Sequence, residues 1–339
     1  MLWENVAIES VDIDLPDKVV TSEQLENALS ATMERFGMEK GLLERISGIK
    51  ERRWYDSLEL PSAIATRAAE RALDRAGISA GQVDMLINGS VTRDYDEPAT
   101  ATIVGGNLGV KHHCFTMDIS HACLGFVTAM TQAANAIELG QANHVLVTSG
   151  ENAVRSLMVD INRLKAPDCH INTFRRAFAT LTIGTGGAAM VLSRREHSKS
   201  GHRLKGALGV SANEHNQLCV GTWTGGMQAD TAGLLEHGTG LLIESYPKAA
   251  AMFGWEDGDI DQFISHQVSN AHFERVFNAL GQPLDRNFRT LSYLGNVASA
   301  SIPITLVEAE RAGKVKSGDQ LCFYGAGSGL GAMIMNVGW

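Results

Sequence analysis

Nowhere in the 339 residues do 18 apolar residues run together, so no segment reads as a membrane-spanning helix. Residues Met1 to Val6 offer no basic stretch leading into an apolar one, from which we expect an unexported, cytoplasmic protein. Cysteine is scarce. The five thiols, Cys114, Cys123, Cys169, Cys219 and Cys322, are odd in number and show neither CxxC spacing nor a zinc-type Cys/His cluster. This argues against disulfides and a structural metal, and it fits a reducing compartment. Positive charge is also in deficit, with 29 Lys and Arg against 38 Asp and Glu. A net charge of −9 excludes nucleic acid as an expected partner, because phosphate binding needs a cationic surface. Any anionic ligand must find a local basic patch.

What remains is a globular chain, 44% hydrophobic and 20% charged, large enough for two domains or one duplicated domain. Its pattern repeats. An amphipathic helix from Ala65 to Gly77 leads into an apolar strand from Gln82 to Gly89; downstream, a helix from Leu242 to Gly254 leads into a strand from Gln262 to His266. A second pair matches the strand from Val145 to Gly150 with that from Gln320 to Gly325, each behind a helix rich in small residues. We therefore expect an α/β fold of two duplicated halves, residues 1–195 and 196–339, with mixed sheets covered by helices. Ligands of such folds bind at the carboxyl ends of the strands.

Three residues stand at such ends. Cys123 lies between a strand expected from His113 to Ser120 and an apolar helix from Leu124 to Ile137, where unpaired N–H groups and the helix dipole favour thiolate. His266 closes the second-half strand, and Asn296 follows Gly295 ahead of another helix. A neutral imidazole and an amide can both donate to an oxygen that becomes negative. Taken singly, each has a plainer reading, as a hydrogen-bonded core histidine and a helix cap. The loop Gly325-Ala-Gly-Ser-Gly-Leu-Gly331 is followed by a strand-like segment rather than a helix, so it reads as a tight hairpin and not as a dinucleotide fingerprint.

Ala122-Cys-Leu-Gly, Ser265-His-Gln, Gly295-Asn-Val-Ala-Ser-Ala-Ser-Ile-Pro303 and Gly325-Ala-Gly-Ser-Gly, in this order, resemble the thiolase superfamily and in particular its 3-oxoacyl-ACP synthase III-like branch. Gly48-Ile-Lys-Glu-Arg-Arg53 resembles an N-terminal motif of the same branch. The resemblance implies a thiolase-like fold, a Cys123, His266, Asn296 triad, and an oxyanion hole from the backbone N–H groups of Cys123 and Ser328. It also implies acyl transfer to cysteine followed by carbon–carbon bond formation. Degradative thiolases carry a second cysteine in the terminal glycine loop, where this chain has Gly325.

Arg93-Asp-Tyr-Asp-Glu-Pro98, Gly106-Asn-Leu-Gly-Val110 and Trp339 resemble, within that branch, the acyl-CoA condensing enzymes of long-chain olefin biosynthesis. That likeness implies a homodimer that joins two fatty acyl-CoA molecules without decarboxylation, with Glu97, reaching in from the partner subunit, as the base that takes the α-proton. Glu97 replaces the phenylalanine usual in synthase III enzymes, and a carboxylate in an apolar tunnel would have a raised pKa suited to that task. The plainer reading is a solvated acid beside Asp94 and Asp96. No cofactor is expected beyond coenzyme A carried on the substrate. The expected partners are acyl-CoA or acyl-ACP, a second copy of the chain and downstream enzymes. Arg52, Arg53, Arg155, Arg163, Lys165, Arg175 and Arg176 are candidates for a pantetheine-phosphate patch. Other readings left open are decarboxylative condensation with a malonyl thioester, thioester hydrolysis and an inactive scaffold.

Overall fold

In the computed structural model, which describes residues 1–222 and 226–339, seven strands precede residue 196. They are β1 (Val6–Asp14), β2 (Val19–Thr21), β3 (Glu51–Arg53), β4 (Met85–Asn88), β5 (Phe115–Asp118), β6 (His144–Glu151) and β7 (Gly186–Arg194). The rest of the chain contributes β8 (Arg203–Ser211), β9 (Cys219–Thr222), β10 (Gly226–Ala229), β11 (Gln262–Ser265), β12 (Gln320–Gly327) and β13 (Gly331–Gly338). Nine of these form one mixed sheet in the order β11-β12-β13-β8-β1-β7-β6-β4-β5.

The pairing pattern occurs twice. β4 runs parallel to β5 and β6, β6 antiparallel to β7, and β7 antiparallel to β1. Likewise β11 runs parallel to β12, β12 antiparallel to β13, and β13 antiparallel to β8. A parallel bridge from Phe263 to Asn287 stands where β5 pairs in the first copy. The fold is a duplicated, thiolase-like α/β arrangement, and its two sheet portions meet where Ala7 pairs with Arg203, with a further bridge from Leu2 to Gly206. β6 and β7 are almost wholly buried, as strands covered on both faces must be.

The central helices, Gly125–Glu138 and Ser301–Arg311, feed one core: Phe126, Met130 and Ile137 from the first, Ile302, Leu306 and Val307 from the second. Each follows a short 3-10 turn, Ala122–Leu124 and Ala298–Ala300, and those turns pack against each other. The expected strand before Cys123 is shorter than its apolar stretch suggests. Residues Lys111 to Cys114 form a hydrogen-bonded turn, and the strand ends at Asp118, whose carboxylate caps the helix Thr100–Leu108 through the N–H groups of Thr100 and Ala101. The glycine loop is the hairpin between β12 and β13.

One close approach governs the first half. A Cβ added to Gly125 would lie 2.0 Å from the carbonyl oxygen of Gly89. Gly125→Ala is expected to destabilise the protein by about 3 kcal/mol, read as a lowered urea midpoint at unchanged slope. Gly240, helical and with nothing within 4 Å of a built Cβ, is the control. Gly240→Ala is expected to stabilise by about 0.5–1 kcal/mol through the unfolded state.

Candidate active site

A cavity of about 520 Å³ opens among the strand and helix ends of both halves, and Cys123, His266, Asn296 and Ser328 all line it. Cys123 sits in the 3-10 turn rather than on the helix proper. The residue before it, Ala122, has φ +45°, an uncommon conformation for a side chain other than glycine. Cys123 follows that kink and lines the cavity. His266 follows β11, with its backbone N–H donating to the Tyr324 carbonyl at 2.9 Å. A Cβ at Gly325 would lie 2.9 Å from His266 Cβ, so the terminal loop has no room there for a second cysteine.

Asn296 is pinned on three sides. Its N–H donates to Thr182 O and its carbonyl accepts from Gly184 N–H, both at 2.9 Å. Its Oδ1 accepts the Ala298 N–H at 2.9 Å, which identifies the oxygen and leaves the amide NH2 as the remaining donor. A Cβ built on Gly327 would lie 3.5 Å from the Cys123 nitrogen, so the hairpin runs beside the Cys123 turn, with Ser328 next in the chain.

The electrostatics differ from the expectation of a preformed thiolate. Burial, reinforced by Cys219 and Glu151, pushes the Cys123 thiol up to about 12, and its own backbone N–H only partly offsets this. The helix start is outweighed by desolvation. Burial, with His272 nearby, pushes His266 down to about 4, so its imidazole is neutral. Its Nδ1 is buried without a hydrogen-bond partner. We assign the proton to Nε2, since that tautomer spares a buried N–H at Nδ1 from going unpartnered.

Glu97 is the residue that the cavity does not include. It is exposed, in the loop between β4 and the helix Thr100–Leu108, and it does not line the cavity of its own chain. The expected desolvated carboxylate is therefore absent from the single chain. Arg52 is also displaced from its expected role: fully buried, it donates to Val20 O, Ser22 Oγ and Leu181 O. Arg53 donates to Pro16 O and Asp17 O. Arg155, Arg163, Lys165, Arg175 and Arg176 are exposed on the helices Val154–Lys165 and Ile171–Ala177, outside the cavity wall. The arginines that do line it, Arg93 and Arg289, were not singled out in the sequence. Nor were Cys219, which lines the wall together with Ser328, and Glu151, whose only signal was an acid closing an apolar strand.

Comparison with known proteins puts this geometry in context. A family model described as 3-oxoacyl-[acyl-carrier-protein (ACP)] synthase III matches residues 117–209, and its C-terminal counterpart matches residues 250–339. An acyl-CoA:acyl-CoA alkyltransferase of Xanthomonas campestris is 38% identical over the full length of both chains. The chain belongs to the 3-oxoacyl-ACP synthase III family of the thiolase superfamily. This family member is also 34% identical, over both full lengths, to the acyl-CoA:acyl-CoA alkyltransferase of Shewanella oneidensis. A β-ketoacyl-ACP synthase III of Ruegeria pomeroyi is 29% identical, with 97% of this chain and 98% of that one covered. The crystal structure of Xanthomonas campestris OleA with lauric acid and lauroyl-CoA superposes with a TM-score of 0.97 at 37% identity, covering 100% of both chains.

A thiol held near 12 ionises only slightly at neutral pH. Alkylation of Cys123 by iodoacetamide in the free enzyme is expected to rise about tenfold per pH unit up to about pH 10 without levelling. Quantifying the modified peptide by mass spectrometry checks this; a plateau below about pH 8 would mean a resting thiolate.

Proposed function

We propose that this chain is a condensing acyltransferase that joins two fatty acyl-CoA thioesters, without decarboxylation, into a 2-alkyl-3-oxo acid. The observation that carries the reading is one cavity holding the thiol, the neutral imidazole and the amide among apolar walls. Leu157, Ile183 and Met227 line one part of it, and Leu242, Phe273 and Val276 another. Likeness to enzymes named acyl-CoA:acyl-CoA alkyltransferase along the whole chain supports the same substrate class.

On this reading Cys123 Sγ attacks the first thioester carbonyl, and the N–H groups of Cys123 and Ser328 receive the oxyanion. Coenzyme A leaves as a thiol and an acyl-cysteine remains. Glu97 then removes the α-proton of the second acyl-CoA, while His266 Nε2–H and the Asn296 amide hold the enolate oxygen. The carbanion attacks the acyl-cysteine carbonyl, and Cys123 departs and regains a proton. Water finally cleaves the remaining thioester, so that two acyl-CoA and one water give the 2-alkyl-3-oxo acid and two coenzyme A thiols. No cofactor is required beyond the coenzyme A on the substrates.

Glu97 reaches a cavity, in this account, only by entering that of a second copy. β5 is the outer strand of the sheet, with Phe115 60% exposed and Tyr95 56% exposed in the Glu97 loop. A homodimer pairing near β5 would cover both. Among the described residues no helix is long and apolar enough to cross a membrane. We also propose a cytoplasmic location, a division of the halves near residue 195, and downstream enzymes that consume the β-keto acid.

Incubation with a long-chain acyl-CoA alone is expected to yield the β-keto acid or the ketone formed by its loss of carbon dioxide. Free fatty acid alone would favour hydrolysis, and product only with a malonyl thioester would favour the decarboxylative route. C123A is expected to abolish turnover, and E97Q to lower condensation by about 100-fold while Cys123 still acylates. Dimers re-formed from a mixture of C123A and E97Q are expected to regain activity. Absence of recovery would place the base in its own chain.

A further inference from the structure

The cavity wall holds one carboxyl that the acyl-transfer chemistry leaves unused. Glu151 ends β6, is 2% exposed and lines the cavity with Cys123. Its Oε1 accepts the Val91 N–H at 2.8 Å, the Ser299 hydroxyl and, at 3.4 Å each, the Ser299 N–H and the Ser149 hydroxyl. Oε2 accepts the Thr92 N–H at 3.1 Å and the Thr92 hydroxyl at 3.0 Å. Backbone N–H groups cannot turn round to accept. An ionised carboxylate offers a lone pair to each donor, whereas an amide in its place would set a hydrogen against the Val91 or the Thr92 N–H. Burial pushes the Glu151 carboxyl up, and the donor set pulls the other way, toward the anion.

What the anion joins gives it a role. Val91 and Thr92 open the loop that carries Glu97. Ser299 belongs to the turn Ala298–Ala300, directly after the Asn296 segment. That turn begins with Ala298 at φ +46°, as the Cys123 turn begins with Ala122 at φ +45°. Ser299 thus stands in the second half where Cys123 stands in the first. One buried carboxylate bridges the two halves on the wall of the cavity that Cys123 also lines.

We propose that Glu151 is a positioning residue: its carboxylate keeps the Asn296 turn and the Glu97 loop in register, and its charge keeps Cys123 a thiol until a thioester arrives. The inference rests on the acyl-cysteine reading above. The other titratable or charged groups lining the cavity among the described residues are Cys123 itself, Cys219, His266, His272, Tyr324, Arg93 and Arg289. None of them is altered by a substitution at Glu151.

The test is the rate at which iodoacetamide alkylates Cys123 between pH 7 and 10 in full-length E151Q, alongside steady-state turnover of a long-chain acyl-CoA. Loss of the anion is expected to speed alkylation about threefold at each pH. Loss of register is expected to lower kcat about tenfold with KM within about twofold, as when a hydrogen bond to a charged group is lost. S299A and T92V remove a donor and keep the charge, so they are expected to lower kcat while Cys123 alkylates at the wild-type rate. Alkylation of E151Q that overlays the wild type, or equal acceleration in S299A and T92V, would overturn the proposal. If E151Q does not fold, E151D decides: wild-type alkylation with reduced kcat supports it, and the reverse pattern refutes it. Alkylation needs no acyl substrate, so a chain inactive on acyl-CoA would defeat the functional reading without touching this result.

Discussion

The backbone of Gly125 lies against that of Gly89 with no room for a single added carbon, and the site depends on that contact. It seats the Gly125–Glu138 helix against the end of β4 and thereby fixes where the preceding turn can run. The turn must then pass through Ala122 in a conformation that costs about 1 kcal/mol or more. Packing of Phe126 and Met130 in the common core is what over-determines it. Because the fold is duplicated, a like turn approaches from the second half, and the two meet where neither half alone would enclose a cavity. The geometry of the cavity is a product of the duplication.

That enclosure sets the electrostatics. A thiol and an imidazole that burial drives in opposite directions, up to about 12 and down to about 4, face the same space as neutral groups. An ion pair at rest is the costlier state when both partners are desolvated. With the proton assigned to Nε2, the neutral His266 keeps the one N–H that the proposed enolate step needs. The chemistry then turns on charge that arrives with the substrate and moves during the reaction, met by dipoles already in place.

Much of this was legible in the chain. Periodicity marked the duplicated helix and strand units, and short motifs marked Cys123, His266, Asn296 and the glycine hairpin. Each of those motifs is local, set by neighbours a few positions away. The features that escaped depend on burial and on distant partners. The Cys123 thiol looked activated because a helix start is visible in sequence and desolvation is not. Arg52 looked like a phosphate ligand because it sits in a basic stretch, yet three acceptors from other elements bury it completely. Glu151 gave no sign beyond its position, since its donors lie 60 residues before it and 148 after.

Glu97 stands outside the cavity of its own chain, as a base supplied across a dimer would, and the sheet edge offers a place for that contact. A carboxylate becomes an effective base when water is withdrawn from it, and an exposed loop withdraws none. β5 is the outer strand and carries Phe115, Thr116, Met117 and Asp118, with no proline, lysine or bulge to blunt the edge. Such an edge invites pairing. In the dimer proposed above, pairing there would bury the adjoining loop and remove water from its carboxylate. The same strand ends five residues before Cys123, so the covered edge and the nucleophile would be coupled through one short, well-held segment. A chain built this way would gain its base only on assembly, and condensation would then be a property of the pair.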